Sequence, residues 1–414
     1  MCDAPSLRKI ICLLLLLLAL PLQAAGPGWT HPGPLKADSS NFVTASLLVT
    51  SPGQPIYSNL GHCTLRMECP QFKLDYCFSF ETDAGTGGIV RFFAGQDNGH
   101  IVAVPTAQYL QPYAREGREV KQYVLNLTPH ERQELWRLLD NDMVADENRK
   151  FNFLRNNCAS ISLQMVDGAL MTEHFNFVWP DKMNQDNAGI VRTYVHEPWS
   201  QFLGITLLGT ENDVSWDNVH RIAPEAIIPI LQHSTIEDLE GHRRPALTGE
   251  VSTLLPLRMV PTPSPVTPTL VFALLLGLTV LLTVLEWKPG WHRPAQVLDV
   301  ALFVGQTGAG LLLLYMSTVS CLFGTHWNWY LLAFNPVPLL LWLLLRKRKG
   351  YRRVWLLYSI VLAGLLLATP LSSQFDLPHQ LLIATLLVRS FAHLIVGTGH
   401  APSARWPRHP SRGD

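Results

Sequence analysis

The C-terminal part of the chain is a series of apolar segments separated by short polar loops, and this pattern constrains the fold more than any other feature. Apolar segments of this length are typical of helices that cross a bilayer. The whole chain is 48% hydrophobic and 15% charged, which is more apolar than a soluble domain needs. We therefore predict a membrane domain of about five helices over residues 269–397, with the apolar segments 270–285, 297–316, 331–345, 354–371 and 381–396.

Basic residues alternate along these loops. Lys288 and Arg293 follow the first apolar segment, six Lys and Arg residues between 346 and 353 follow the third, and a basic tail over 398–414 follows the fifth. The loops after the second and fourth segments contain no Lys or Arg. Because basic residues concentrate in cytoplasmic loops, the pattern predicts an external N-terminal part and a cytoplasmic C-terminus.

The N-terminal part is predicted to be exported. Arg8 and Lys9 precede an apolar run over 10–20, and small residues follow it, as in a secretory signal peptide that is cleaved near Ala24 or Ala25. An uncleaved anchor is the alternative, but the run is short for a span. Residues 1–25 are thus a predicted signal peptide, 26–255 a soluble external domain and 256–268 a Pro-rich linker.

The external domain is predicted to be α+β. Alternating and β-branched stretches predict strands over 42–50, 63–68, 72–80, 101–104 and 120–127. Thr128-Pro129-His130-Glu131 is a capping box that predicts the start of a helix, and apolar spacing predicts another helix from about Asn157.

Two segments of this domain contain residues suited to catalysis. His62 follows Gly61 at the start of a predicted strand, and Cys158 lies in the first turn of a predicted helix. The positive end of a helix dipole favours the thiolate, and a nearby imidazole would complete a nucleophile and base pair. From the residues alone, a Cys that packs as a small hydrophobic group remains the alternative.

Five cysteines remain after the predicted signal peptide. The close spacing of Cys69 and Cys77 favours a disulfide between them, so that Cys158 is either free or paired with Cys63. No paired-ligand motif supports zinc, and we expect neither a metal nor another cofactor. Lys and Arg together equal Asp and Glu at 32 each, which gives no reason to expect a nucleic-acid partner.

Seven short motifs occur in a fixed order along the chain: Gly61-His62-Cys63-Thr64-Leu65-Arg66, Gly117-Arg118-Glu119-Val120, Leu125-Asn126-Leu127-Thr128, Asn157-Cys158-Ala159, Leu208-Gly209-Thr210-Glu211-Asn212-Asp213, His326-Trp327-Asn328-Trp329 and Asn335-Pro336. This ordered set resembles the Lnb-type lipoprotein N-acyltransferase family, in both its periplasmic N-terminal domain and its membrane domain.

The resemblance implies a circularly permuted papain-like fold, similar to NlpC-type hydrolases and lecithin:retinol acyltransferases, with Cys158 as nucleophile and His62 as base. It implies an enzyme of the bacterial inner membrane whose partners are membrane phospholipid and lipoproteins. A fatty acyl chain would pass from phospholipid to Cys158 and then to the N-terminal amine of a lipoprotein. The chain departs from the common family pattern in having Cys63 where Ser usually follows the histidine.

Several further residues are candidates for supporting roles. Arg66 would meet a lipid phosphate or be structural, and Asn157 would take part in the reaction or cap the helix. Asp75 and Ser79 are candidates for the third polar partner of His62. In the membrane domain the candidates are His326, at the outer end of the second segment, and Arg389 with His393, which share one helix face and meet a headgroup, a neighbouring span or, by snorkelling, the interface.

Two other functions remain open at this stage. A cysteine hydrolase acting on peptidoglycan or lipid would use the same residues, with water in place of the amine. A non-catalytic envelope assembly protein would keep the fold with an unreactive or disulfide-bonded Cys158.

Overall fold

The computed structural model describes residues 44–54, 58–82, 88–145, 149–152, 156–179, 186–209, 223–260, 262–288, 290–322, 324–345 and 350–395. The predicted signal peptide, the basic residues 346–349 and the predicted tail lie outside these ranges.

Within these ranges the N-terminal part is built on two antiparallel sheets. Its strands are β1 (Thr44–Thr50), β2 (His62–Cys69), β3 (Leu74–Thr82), β4 (Asn98–Pro105), β5 (Val120–Leu125), β6 (Arg149–Lys150), β7 (His174–Asn176), β8 (Thr235–Glu237), β9 (Arg243–Pro245) and β10 (Leu247–Leu255). The larger sheet has the spatial order β10-β5-β1-β2-β3-β4-β6, and the smaller one has the order β7-β8-β9. The five predicted strands are therefore confirmed, and they form the centre of the larger sheet.

The helices of this part lie along the chain between the strands. They are α1 (Gly88–Phe93), α2 (Thr106–Glu116), α3 (Pro129–Ala145), α4 (Cys158–Ala169), α5 (Asn187–Tyr194), α6 (Pro198–Leu207) and α7 (Ile227–His233). The predicted capping box of α3 is confirmed, since the N–H of Thr128 donates to Glu131 Oε2 and the N–H of Glu131 donates to Thr128 Oγ1.

The two faces of the larger sheet are covered by different helices. Leu65 and Phe78 point to one face and pack with Leu135 of α3 and Ile161 of α4 in the main core. The opposite face is covered by α2, which buries Tyr109 against residues such as Val104 of β4. Alternation along the strands decides which residues reach which face, so a single strand serves both cores.

The C-terminal part is helical, with α8 (Pro268–Leu285), α9 (His292–Thr318), α10 (Val337–Leu340), α11 (Tyr351–Ala368) and α12 (Leu377–Ile395). Among the described residues, three helices are long and apolar enough to cross a membrane, namely 268–285, 292–318 and 351–371. The third predicted segment is a shorter apolar stretch over Trp329–Leu344, in which α10 continues into a π-helical turn. Pro336 and Pro338 lack the N–H groups that a continuous helix there would need.

Contacts between α6 and the membrane domain join the two parts. Phe202 packs on Phe272 of α8 at a ring-centroid distance of 5.2 Å and stacks on His379 of α12 at 4.5 Å. The Thr206 hydroxyl hydrogen-bonds His379 at 2.9 Å, and Asn328 donates to the carbonyl oxygens at both Thr206 and Leu208. The external domain thus packs directly against the helices of the membrane domain.

Candidate active site

Cys158 is the first residue of α4, as predicted, and its side chain is nearly buried, with 9% of the residue exposed. Asn157 caps this helix, because its Oδ1 accepts from the N–H groups of Ala159 and Ser160 while its own N–H donates to Ser160 Oγ. Asn157 is therefore a helix cap. The cap does not use the N–H of Cys158 itself, which also lies at the positive end of the helix.

His62 is the first residue of β2, and it pairs with Thr50 of β1. The preceding Gly61 has φ +77°, and a Cβ there would lie 2.6 Å from the Thr50 carbonyl oxygen, so both the backbone conformation and the space require glycine. The Cys158 thiol lies close enough to the His62 imidazole to raise its pKa through charge and hydrogen bonding. The structure therefore brings together the two residues that the sequence proposed as nucleophile and base.

Ser79 and Glu81, both on β3, extend this pair. His62 Nε2 lies 2.8 Å from Ser79 Oγ, and Ser79 Oγ donates to Glu81 Oε1 at 2.6 Å. Because the Ser79 proton is committed to Glu81, its oxygen accepts from His62 Nε2–H, which leaves Nδ1 as the basic nitrogen of a neutral imidazole. The four residues form a continuous chain, Cys158–His62–Ser79–Glu81.

Burial and neighbouring groups shift the pKa values of His62 and Glu81. Burial alone lowers the pKa of His62, but Tyr113, the Cys158 thiol and Glu81 outweigh it and raise the pKa well above the ordinary histidine value. Burial raises the pKa of Glu81, yet its hydrogen bond and attraction to His62 hold the pKa below the ordinary value. Both shifts favour an imidazolium beside a carboxylate, 3.6 Å apart.

Of the two candidates for the third polar partner, Ser79 contacts His62 and Asp75 does not. Asp75 instead forms a two-pronged ion pair with Arg66, at 2.7 and 2.8 Å, and accepts from Thr106. Arg66 also donates to Gln122 and pairs with Glu68. The guanidinium of Arg66 is thus occupied by protein groups, which favours the structural alternative. Sequence reasoning missed Glu81, although period-2 spacing from Ser79 places it on the face that Ser79 occupies.

The predicted disulfide between Cys69 and Cys77 is wrong. The structure has no disulfide bond between them. Cys69 packs in the main core and Cys77 in the core under α2, so the two side chains point to opposite faces of the sheet. Cys63 and Cys158 are not joined by a disulfide either. Burial raises the pKa of Cys63 well above the ordinary thiol value and that of Cys77 to about 12, which makes both poor nucleophiles.

In the membrane domain, Arg389 and His393 meet neighbouring helices. The Arg389 side chain is 1% exposed and forms a two-pronged ion pair with Asp299 of α9, at 2.6 and 2.8 Å, and a further pair with Glu286. His393 Nε2 lies 3.0 Å from Asp299 Oδ2. These four residues are the membrane ion cluster. The snorkelling alternative is wrong for Arg389, because its charge is paired inside the helical bundle.

His326 lies where the loop after α9 meets the external domain. The Gly209 backbone packs so closely on His326 that a Cβ at position 209 would overlap the His326 carbonyl. The Gly209 N–H also donates to the Gly324 carbonyl at 2.7 Å. His326 therefore belongs to the contact between the two domains.

The end of the large sheet that carries His62 faces the membrane domain. The segment after α1 joins the end of β3 to the start of β4, and its Ala94 carbonyl accepts from the N–H of Cys321, just after α9. Beside the start of β5, the Gly117 carbonyl accepts from the N–H groups of Arg258 and Met259, which lead towards α8. The reactive pair is thus on the membrane side of the external domain.

The protein combines an α+β domain, which carries a nearly buried thiol next to an imidazole, with a set of apolar helices. It therefore belongs to the class of membrane-associated envelope proteins, with a candidate cysteine site. Residues 35–185 match the Lnb N-terminal periplasmic domain, and residues 261–399 match the Lnb transmembrane domain. These two matches support an Lnb-family protein, and the chain is a membrane-associated envelope protein of the Lnb type. No curated protein and no solved structure matches the chain significantly.

Proposed function

We propose that this protein is a membrane-anchored thiol acyltransferase, which moves a fatty acyl chain from a membrane phospholipid to the N-terminal amine of a bacterial lipoprotein. The observation that carries the proposal is the Cys158–His62–Ser79–Glu81 chain at the membrane side of the external domain. A nucleophile on a helix start and a base on an adjoining strand, with His before Cys, also support the permuted papain-like arrangement. Bacterial inner-membrane localisation with a cytoplasmic C-terminus is part of the proposal.

The first half-reaction forms a thioester. His62 takes the proton of the Cys158 thiol, and the sulfur attacks the ester carbonyl of the phospholipid. The developing oxyanion meets the N–H of Cys158 at the helix start. When the C–O bond breaks, His62 returns the proton to the departing oxygen, so that a lysophospholipid leaves and the acyl chain stays on Cys158.

The second half-reaction regenerates the thiol. The amine of the lipoprotein attacks the thioester and loses its proton to His62, an amide forms, and the proton returns to the Cys158 sulfur as the C–S bond breaks. Glu81 stabilises the imidazolium in both halves through Ser79. A fixed position next to the bilayer suits both substrates, since each is held in the membrane by its acyl chains.

The test is intact-mass analysis of the full-length protein reconstituted in phospholipid. We expect a fatty-acyl adduct on the wild type that hydroxylamine removes, and no adduct on Cys158→Ser or His62→Ala. Cys321→Ser is the matched control, because Cys321 is an exposed free thiol and its loss should leave the adduct unchanged. An adduct that persists in Cys158→Ser, or none in the wild type, contradicts the proposal.

The molecule that accepts the acyl chain from Cys158 distinguishes a transferase from a hydrolase. Adding a peptide that begins with diacylglyceryl-cysteine to the acylated protein should give an N-acylated peptide at the rate at which the thioester disappears. Release of free fatty acid at the same rate with and without the peptide would instead identify a lipid hydrolase. A Cys158 that resists alkylation would favour the non-catalytic assembly function.

A further inference from the structure

Arg118 is a buried cation near His62 that the proposed reaction does not use. The residue is 5% exposed, and it lies just before β5 at the membrane-side end of the sheet. Its Nε donates to the Ser51 carbonyl at 2.7 Å and its Nη1 pairs with Glu116 at 3.2 Å. Among the described residues, Nη2 is buried without a hydrogen-bond partner.

An unpaired guanidinium nitrogen in this position is unfavourable. Leaving a buried donor without an acceptor destabilises the folded protein, and the penalty is larger for a charged group. Thr50, which lies opposite His62 and is completely buried, has a hydroxyl that is likewise unpartnered among the described residues. The same end of the sheet thus holds two buried donors, and no residue in the described part of the protein accepts a hydrogen bond from either.

A single aromatic ring separates Arg118 from the reactive pair. The Arg118 guanidinium lies 4.9 Å from the centroid of the Tyr113 ring, and that ring stacks with the His62 imidazole at 6.5 Å and 26°. Arg66 provides a contrast on the same sheet, because Asp75 and Gln122 occupy its guanidinium nitrogens. Of these two arginines, Arg118 is therefore the one with a donor left for a ligand.

We propose that Arg118 binds the phosphate of the donor phospholipid and so places its ester carbonyl at Cys158. This inference rests on the proposed function and adds the recognition of the donor class. A guanidinium recognises a phosphate oxygen through charge-assisted hydrogen bonds. Because Glu116 pairs with Nη1, the net charge of the Glu116–Arg118 pair is small. Phosphate binding therefore depends on the hydrogen bond that Nη2 donates.

The first experiment compares two donors on the full-length, reconstituted wild-type protein. Phosphatidylglycerol should acylate Cys158 at least 10-fold faster than diacylglycerol with the same chains, because only the former has a phosphate. Arg118→Gln should remove this preference by slowing the reaction with phosphatidylglycerol alone. Arg118→Lys, which keeps the charge but loses the planar fork, should give an intermediate preference. Arg115→Gln, at an exposed arginine nearby, should retain the wild-type preference.

Equal rates with both donors in the wild type would overturn the inference without any variant. They would leave the proposed acyltransferase intact, since the adduct would still form. Absence of an adduct from either donor would instead be a failure of the proposed function.

The second experiment measures binding without catalysis. On full-length Cys158→Ser, calorimetry should show a water-soluble short-chain phosphatidylglycerol binding at least 10-fold more tightly than it does to Cys158→Ser with Arg118→Gln. Inorganic phosphate should compete only weakly, because the glycerol and chains contribute to lipid binding. If inorganic phosphate binds as tightly as the lipid, the site serves free phosphate. If Arg118→Gln changes neither affinity although its thermal unfolding matches the parent, Arg118 is structural.

Discussion

At the residue scale, the protonation of His62 depends on groups from three different elements. Tyr113 comes from α2, Cys158 from α4 and Glu81 from β3, and together they raise the pKa of His62 above its ordinary value despite burial. A raised pKa means that the paired imidazolium stabilises the fold fully below the ordinary histidine pKa. That stabilisation is lost as the pH rises through the raised value in the folded protein.

The substitution Glu81→Gln tests this dependence. Removing the carboxylate takes away an anion that favours the imidazolium, so the pKa of His62 should fall. The acidic limb of the pH–rate profile for acylation of Cys158, which reports loss of the His62 proton, should then move to lower pH, while the protein remains folded. Glu116→Gln, on the far side of Tyr113 from His62, is the control. An unchanged acidic limb in Glu81→Gln would show that Glu81 does not act on His62.

At the scale of elements, the membrane ion cluster ties three helices together. Arg389 on α12 reaches Asp299 on α9 and Thr283 near the end of α8, and the Asp299 side chain is 1% exposed. Charges in such surroundings are tolerated only when they are paired. The cluster therefore fixes the relative positions of the helices that support the external domain.

The substitution Asp299→Asn should be strongly destabilising. It leaves Arg389 buried without its main counter-charge, which typically costs about 3–5 kcal/mol. Combining Arg389→Met with Asp299→Leu should cost less than Asp299→Asn alone, because both charges are removed together. Unfolding of the reconstituted protein measures both effects, with Arg293→Gln at an exposed site on α9 as the control. Equal stability of Asp299→Asn and wild type would mean that the Arg389–Asp299 ion pair does not stabilise the fold.

Elements with a strong local signal could be predicted from the sequence, and contacts between distant elements could not. The Thr128 capping box and the Asn157–Cys158 helix start depend on neighbouring residues, and both are where the sequence put them. The Cys69–Cys77 pairing failed because proximity in sequence says nothing about which face of a sheet a side chain occupies. Asp299 was not recognised as the partner of Arg389, since they are on different helices and only packing brings them together.

At the scale of the whole molecule, the two domains meet through many small contacts. Besides the packing of Phe202 on α8 and α12, Arg192 of α5 forms an ion pair with Asp376 at 2.8 Å. The Trp199 side chain donates to the Val266 carbonyl in the linker at 2.7 Å. The external domain is thus held by contacts along the chain from 192 to 209, in addition to the covalent linker.

The substitution Gly209→Ala tests whether the contact between the two domains is needed for acylation of Cys158. The new Cβ would overlap the His326 carbonyl and force the domains apart locally. A displacement of about 1 Å can cost about 100-fold in rate, so acylation of Cys158 from bilayer phospholipid should fall strongly. Alkylation of Cys158 by iodoacetamide should be unaffected, because that reagent comes from water. Gly277→Ala, where a Cβ in α8 meets nothing within 4 Å, should behave as wild type.

Under the proposed function, the position of the reactive pair at the membrane-side end of the sheet also determines which donor concentration sets the rate. A site that opens towards the lipid surface samples molecules by lateral diffusion, so its occupancy follows the mole fraction of donor in the leaflet. Diluting vesicles in buffer leaves that fraction unchanged, whereas diluting the donor with inert lipid lowers it. The composition of the surrounding leaflet would then act as the substrate supply, independent of cell volume.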